Sequence, residues 1–216
     1  MGDDRHATAI RWARTLLNTP GFTTEVADRG DAATTYRLSD HGTVAGYLKV
    51  GHCGLAAERD RLIWLGDRVA VPRVLGFAGS DGQEWLLTAP LAGADLSQPA
   101  HIADPHRLVP LLASALTRLH SLDPAECPFG RSQDGAVVIH GDACLPNFVF
   151  DTTDFTGYLD VGDVRLGKPD VDLAAAVWSL DHNLGPGFGG ELLRRYGWPQ
   201  DDEATVERLR RAYGAV

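Results

Sequence analysis

Residues 137–150 read "VVIHGDACLPNFVF", two short apolar runs broken by a polar loop. Val137-Val138-Ile139 and Phe148-Val149-Phe150 are β-branched or aromatic, the composition of short, largely buried strands. Between them the chain passes through His140-Gly141-Asp142 and reaches Asn147, so a carboxylate stands at one end of the loop and a carboxamide at the other. A second strand-to-loop boundary follows in "GYLDVGD", where Asp160 lies thirteen residues beyond Asn147. The segments "FVFD" and "FTGYLD" look like the arms of a hairpin with "TTD" at its tip.

Antiparallel pairing of those arms brings their open ends together, so Asn147 and Asp160 are expected to face one ion. One carboxylate and one carboxamide oxygen, without His or Cys, form a hard-oxygen set suited to Mg²⁺. Asp142 is then free to act on a substrate proton. Cys144 has no adjacent base and reads as a packed thiol.

The flanking sequence supplies a second constellation. Asp3 or Asp4 can cap a helix reaching about Leu17, with Ile10, Ala13 and Leu17 on one face, and Pro20-Gly21 stops it. Strands are expected near 23–28, 33–39 and 43–50, separated by turns at Gly30-Asp31 and Asp40-His41-Gly42. Lys49 ends the third of these, in "TVAGYLKV". A helix over about 54–66 follows, on which Leu55, Glu58, Leu62 and Leu65 recur at helical spacing. Glu58 therefore lies on an otherwise apolar face, where an unpaired carboxylate costs several kcal/mol. Lys49, on the preceding strand, is its expected partner. Strands near 73–79 and 83–89 flank "GSDGQ", and from "DPHRLVPLLASALTRLHSL" onward the pattern is mainly helical. A strand-rich first part thus meets a helix-rich second part near Gly93, an α+β pattern with two lobes.

Composition excludes several alternatives. With 20 Lys and Arg against 29 Asp and Glu, the 216-residue chain carries a formal charge of −9. That balance disfavours a duplex nucleic-acid or anionic-membrane partner and is compatible with a cationic ligand. No apolar run approaches membrane-spanning length, and the first residues lack the regions of a signal peptide. The cysteines, Cys53, Cys127 and Cys144, have no metal-like spacing. A reduced, cytoplasmic protein without an obligatory protein partner is the expectation.

The order Lys49, Glu58, Asp142, Asn147, Asp160 resembles the protein-kinase-like fold, with its strand lysine, helix glutamate, catalytic aspartate and two magnesium ligands. His-Gly-Asp in place of His-Arg-Asp, and Asp-Val-Gly in place of Asp-Phe-Gly, are similar to the aminoglycoside phosphotransferases. "WLGDRVAVPRVLGF", "WLLTAPLAG", "LTRLHSLDPAECPF", "LDVGDVRLGKPDVDLA" and "LLRRYG" resemble the 3′-phosphotransferase branch. The resemblance implies a nucleotide-binding lobe at 1–92 and a catalytic and substrate lobe at 93–216. It implies that Lys49 binds the phosphates of ATP, with GTP as the alternative, and that Glu58 orients Lys49. Adenine would meet the Ala89 carbonyl and the Leu91 amide, Asn147 and Asp160 would hold Mg²⁺, and Asp142 would accept the proton of the attacking hydroxyl. Asp172 and His140 would brace the catalytic loop. Gly30 would stand where a phosphate-covering loop lies, or in a plain hairpin turn, with Thr34 and Thr35 near it.

Three departures bear on the acceptor. Only ten residues, Gly130 to Ile139, separate "CPF" from His140, where the family places a helical insertion. In "WSLDHNLG" the two acids expected to grip ligand ammonium groups are His182 and Asn183, with Asp181 one residue earlier. The "RRAYGAV" end offers the Val216 carboxylate in place of an acidic-aromatic tail. Asp163, Asp181 and the acids at 201–203 remain to meet a cation, although Asp201 and Asp202 are more simply helix-capping acids. The expected activity is transfer of a γ-phosphate to a hydroxyl of an aminoglycoside-like molecule. A peptide antibiotic, amino alcohol or sugar acceptor, or a catalytically silent binding module, stays open.

Overall fold

Alternation along residues 43–51 positions the first constellation. Leu48 and Val50 point to one face of their strand and are buried, so Lys49 between them points to the other. In a computed structural model of the chain this strand is central to a five-stranded sheet. The structure describes residues 2–18, 22–30, 32–80, 82–131, 133–152 and 154–213, with side chains from His6 onward. Pro20, Gly21, Asp31, Asp81 and Val216, singled out above, lie outside the described residues.

Two units share the chain: residues 1–67 with 71–91, and 68–70 with 92–216. The first begins with helix α1 (Gly2–Leu17), followed by β1 (Thr23–Arg29), β2 (Ala33–Asp40), β3 (Thr43–Gly51), α2 (Leu55–Gly66), β4 (Val74–Ser80) and β5 (Gln83–Thr88). Helix α1 starts at Gly2, so Asp3 and Asp4 lie inside its first turn rather than ahead of it as a cap. All pairings are antiparallel, in the order β1-β2-β3-β5-β4. The β2–β3 turn has two residues, His41 and Gly42, both at positive φ, the backbone that matches strand twist in a tight hairpin. Ala9 and Ala13 of α1 pack with Phe22, Leu38, Leu48, Val50, Trp85 and Leu87 to form the core on one face of the sheet. Ile10 and Leu17 reach it only in part.

The second unit contains β6 (Ala94–Asp95), α3 (Pro99–Ile102), α4 (Pro105–His120), β7 (Val137–Ile139), β8 (Phe148–Asp151), β9 (Asp154–Tyr158), β10 (Arg165–Gly167), α5 (Pro169–Leu184), α6 (Gly189–Tyr196) and α7 (Glu203–Tyr213). Helix α5 buries Asp172, Leu173, Ala174, Ala175, Ala176, Val177, Ser179 and Leu180, which makes it a central element rather than an amphipathic surface helix. Strands β8 and β9 form the expected hairpin, with Phe148 opposite Tyr158 and Asp151 opposite Asp154. Tyr158 is fully buried, and its hydroxyl donates to the Ala115 carbonyl of α4 at 2.7 Å, anchoring the hairpin to the helical core.

Candidate active site

The loop between β7 and β8 is held from below by α5. Asp172 has no solvent exposure, and its Oδ1 accepts the Gly141 N–H at 2.9 Å while Oδ2 accepts the His140 N–H at 2.6 Å. His120, at the end of α4, donates from Nε2 to the same Oδ2 at 2.9 Å, and its Nδ1 meets the Tyr196 hydroxyl at 2.8 Å. Burial alone would raise the Asp172 carboxyl, but the His120 hydrogen bond, the neighbouring imidazoles and the His140 N–H together hold it below the usual carboxylate range. Gly141 is required where it stands. At φ +90° an added Cβ would come within 2.7 Å of the Asp163 carbonyl oxygen.

His140 is fully buried, with both ring nitrogens committed. Nε2 donates to the Leu159 carbonyl at 2.9 Å, which leaves Nδ1 to accept the Asp142 N–H at 3.3 Å. A ring bonded at both nitrogens positions the loop and is not available as a general base. Ser179 of α5 adds a further tether, its Oγ accepting the Leu145 N–H at 3.0 Å.

Asp142 emerges from this frame half-buried. Its Oδ2 accepts from Asn147 Nδ2 at 3.1 Å, and the same amide donates to the Asp142 carbonyl at 2.8 Å. Asn147 thus spends its NH₂ on Asp142, which turns its Oδ1 the other way. The Leu159 N–H donates to the Asn147 carbonyl at 2.9 Å and extends the β8–β9 ladder by one step. That step sets the end of one loop beside the start of the other, with Asp160 next in the chain. Asp160 takes φ +53° and ψ +47°, a left-handed conformation that costs about 1 kcal/mol for a non-glycine residue. The hairpin read from the sequence is thus present within the second unit, with Asn147 and Leu159 paired at its open end.

The Ser179 tether is not legible in the sequence, and neither is a contact from the far end of the chain. Tyr213, near the end of α7, donates its hydroxyl to Asp142 Oδ1 at 3.1 Å and lies 3.3 Å from Cys144 Sγ. No local pattern signals it, because 71 residues separate the partners and only the packing of α7 on α5 joins them. Cys144 is buried, and burial pushes its thiol up to about 12, so it is inert as expected. Native protein should take up one maleimide, at the exposed Cys53, and unfolded protein three. Mass spectrometry after brief labelling checks this.

The first unit holds the other constellation. Lys49 Nζ lies 2.7 Å from Glu58 Oε1, and the residues that α2 buries are Leu55, Glu58, Leu62 and Leu65, the stripe read from the sequence. Gly54, before α2, has no side chain to cap it. Glu84 of β5 substitutes, its Oε2 accepting the Leu55 N–H at 2.7 Å and the Ala56 N–H at 3.2 Å, so the helix is fixed to the sheet that carries Lys49. Replacing Lys49 by methionine removes the ammonium from a carboxylate that is 7% exposed. Unfolding free energy is expected to fall by about 3 kcal/mol in urea titration, and adding Glu58→Gln should restore part of it. Ala89 and Leu91, both half-buried, follow β5, and the Ala89 N–H is spent on the Arg73 carbonyl at 2.9 Å. Gly30 lies in the β1–β2 connection, its N–H donating to the Ala33 carbonyl, and Thr34 and Thr35 of β2 pair with Arg29 and Asp28 of β1.

Known proteins are similar to this chain. A family model described as APH, a phosphotransferase enzyme family, matches residues 24–136 and 132–210. The chain belongs to the APH phosphotransferase family. An aminoglycoside 3′-phosphotransferase from Streptomyces ribosidificus is 29% identical over 245 positions, covering 87% of this chain and 93% of that protein. A streptomycin 3″-kinase from Streptomyces griseus is 31% identical, covering 79% and 84%. The structure of the aminoglycoside phosphotransferase APH(3″)-Id from Streptomyces rimosus, in complex with ADP and streptomycin, superposes with a TM-score of 0.76 over 94% of this chain and 95% of that one, at 23% identity. The fold of this phosphotransferase is accordingly the kinase-like α+β one.

The alignment with the Streptomyces ribosidificus protein is longer than the present chain, so that relative has residues without a counterpart in this phosphotransferase. The two matches to the family model meet at 132–136, inside the short connection ahead of His140. The acids considered above for a cationic ligand are largely taken. Arg210 pairs with Asp181 at 2.5 Å and with Glu207 at 2.7 Å, and Arg194 pairs with Asp201 at 2.9 Å. Asp202 caps α7 by accepting the Thr205 N–H at 2.8 Å, so of the two acids expected to cap, one does and the other pairs with an arginine. Asp181 is therefore neutralised within the fold rather than offered to a ligand. No helix among the described residues is long and apolar enough to cross a membrane.

Proposed function

We propose that this phosphotransferase transfers the γ-phosphate of ATP to a hydroxyl of an aminoglycoside-like acceptor and so inactivates the antibiotic. The observation that carries the reading is the fixed Asp142 carboxylate, oriented by Asn147 on a loop whose own N–H groups are bonded to Asp172. A half-buried carboxylate held in one orientation suits the alignment of an attacking hydroxyl and the reception of its proton. Lys49, aligned by Glu58, would neutralise nucleotide phosphate charge in the first unit, and the Ala89 carbonyl and Leu91 N–H would read the adenine edge. Residues 1–92 are thus assigned to nucleotide binding and 93–216 to catalysis and the acceptor. The names of the relatives and the ADP complex of the Streptomyces rimosus enzyme support this assignment.

Asn147 Oδ1 and the Asp160 carboxylate are hard oxygen donors and fit Mg²⁺, which when bound neutralises phosphate charge. Among the described residues no three His, Cys, Asp or Glu side chains gather as a metal cage. Two protein donors, with water and phosphate completing the shell, match the habit of Mg²⁺ in nucleotide sites. ATP chemistry and three free cysteines are consistent with a cytoplasmic setting.

A second acceptor class is favoured by the pairing of Asp181 with Arg210. With that acid neutralised, a less cationic hydroxyl compound, such as an amino alcohol or a sugar, competes with a polyamine drug. Label transfer from γ-labelled ATP, and separately GTP, to aminoglycosides with and without a 3′-hydroxyl, a cyclic peptide antibiotic and small amino alcohols tests both readings. Label confined to 3′-hydroxyl drugs supports the first, and label on another acceptor supports the second. Tight nucleotide binding without transfer to any of them overturns both in favour of a silent module.

A further inference from the structure

We infer that the Tyr213 hydroxyl holds the acceptor's place on Asp142, so that the incoming substrate hydroxyl binds by displacing it. The inference rests on the reading of Asp142 as the group that receives the acceptor proton. In that reading the acceptor presents an O–H donor to a carboxylate oxygen. Tyr213 already does so, to Oδ1, while Asn147 occupies Oδ2.

Three observations make the phenol a stand-in rather than a partner in the chemistry. At 3.1 Å its hydrogen bond is longer than the ~2.7–2.8 Å typical of O–H···O contacts, so a better-aligned hydroxyl can replace it at small cost. Burial, the Cys144 thiol and Asp142 all push the phenol above its ordinary range, so it remains a donor and does not relay protons near neutrality. Its ring packs against Trp178, with centroids 5.2 Å apart, and Trp178 stacks on His182 at 5.1 Å. Trp178 is 37% exposed, so an aromatic surface open to solvent continues from the phenol along α5.

The consequence is selectivity for a hydroxyl over water. Each oxygen of Asp142 already accepts one hydrogen bond, which weakens it as a proton acceptor for water, and water gains no other contact by displacing the phenol. An acceptor large enough to cover Trp178 while its hydroxyl competes for Oδ1 gains contacts that water lacks.

The test uses the full chain grown with 3-fluorotyrosine, whose fluorine next to the hydroxyl reports that group's hydrogen bonding. Of five tyrosines, the resonance lost in Tyr213→Phe identifies position 213. Asp142→Ala should move that resonance, as should saturation of the wild type with an aminoglycoside bearing a free 3′-hydroxyl, without nucleotide. In turnover Tyr213→Phe is expected to raise acceptor-independent ATP hydrolysis about 3–10-fold and lower the acceptor KM by a similar factor at unchanged kcat, as removal of a ground-state competitor should. A resonance unmoved in Asp142→Ala overturns the inference, as does a Tyr213→Phe enzyme with lower kcat and unchanged KM, which would make the phenol a positioning residue for Asp142. Failure of the parent reading has a different signature: transfer that survives Asp142→Asn whatever stands at position 213.

Discussion

Asp142→Asn is expected to lower kcat by about 10²–10⁴-fold while nucleotide affinity in the presence of Mg²⁺ changes less than twofold. The substitution retains shape and the ability to accept from Asn147 Nδ2 or Tyr213, so the loop should keep its course. What it removes is the negative charge that receives the acceptor proton. Asp160→Asn supplies the contrast. Asparagine tolerates the left-handed backbone that residue 160 adopts, so the chain is undisturbed, but the proposed hard anionic ligand is gone. Both nucleotide affinity and turnover should then fall. Single-turnover transfer with labelled ATP, beside nucleotide binding by calorimetry, separates the two variants. Asp142→Asn enzyme with near wild-type transfer would remove the proposed role of Asp142.

The second large effect belongs to a residue placed too deep to meet any ligand. Asp172→Asn keeps the volume of the side chain but replaces one acceptor oxygen by NH₂. Oδ2 serves two donors and Oδ1 one, so the amide oxygen should remain toward His140 and His120. The Gly141 N–H then faces another N–H group one residue from Asp142. A buried donor left unsatisfied costs about 1–3 kcal/mol, and the lost charge-assisted bonds add to it, for an expected stability loss of about 3–4 kcal/mol. A displacement of the loop by 1 Å would lower kcat by about 10²-fold. The acid limb carries a further signature. Because the folded-state pKa of Asp172 lies below the ~3.9 of an unfolded aspartate, its stabilisation is complete above that value and is lost as pH falls toward the folded one. Urea titrations between pH 3 and 7 should show a shallower acid decline in the variant. An Asp172→Asn protein as stable as wild type would contradict the bracing role.

What the sequence disclosed depended on how far apart the partners lie in the chain. The β8–β9 hairpin was readable because its arms are short β-branched or aromatic runs and its turn is short, and the hairpin carried Asn147 and the neighbour of Asp160 with it. Glu58 was readable because a carboxylate among leucines on one helix face requires a cation, and a strand lysine stood nine residues away. Asp181, by contrast, looked available to a ligand, and only the packing of α7 on α5 brings Arg210 onto it. The same packing places Tyr213 on Asp142. The His120 link between Tyr196 and Asp172 was hidden for the same reason, since its members come from α4, α6 and α5. Helix-on-helix registry is set by the volumes of many side chains together, and no single residue announces it.

The ten residues between Phe129 and His140 acquire another meaning from the way the loop after them is held. The named bonds that fix it come from Asp172 and Ser179 of α5, from Leu159 and from the Asn147–Asp142 clamp. The connection turns at Gly130, with φ +86°, and again at Gly135, with φ +70°, just ahead of β7. Length added there is a loop lengthening whose entropic cost grows only logarithmically. Within this architecture the connection is thus a modular port: segments can be gained, lost or grafted there over evolutionary time, or by design, while the loop that carries Asp142 stays in place.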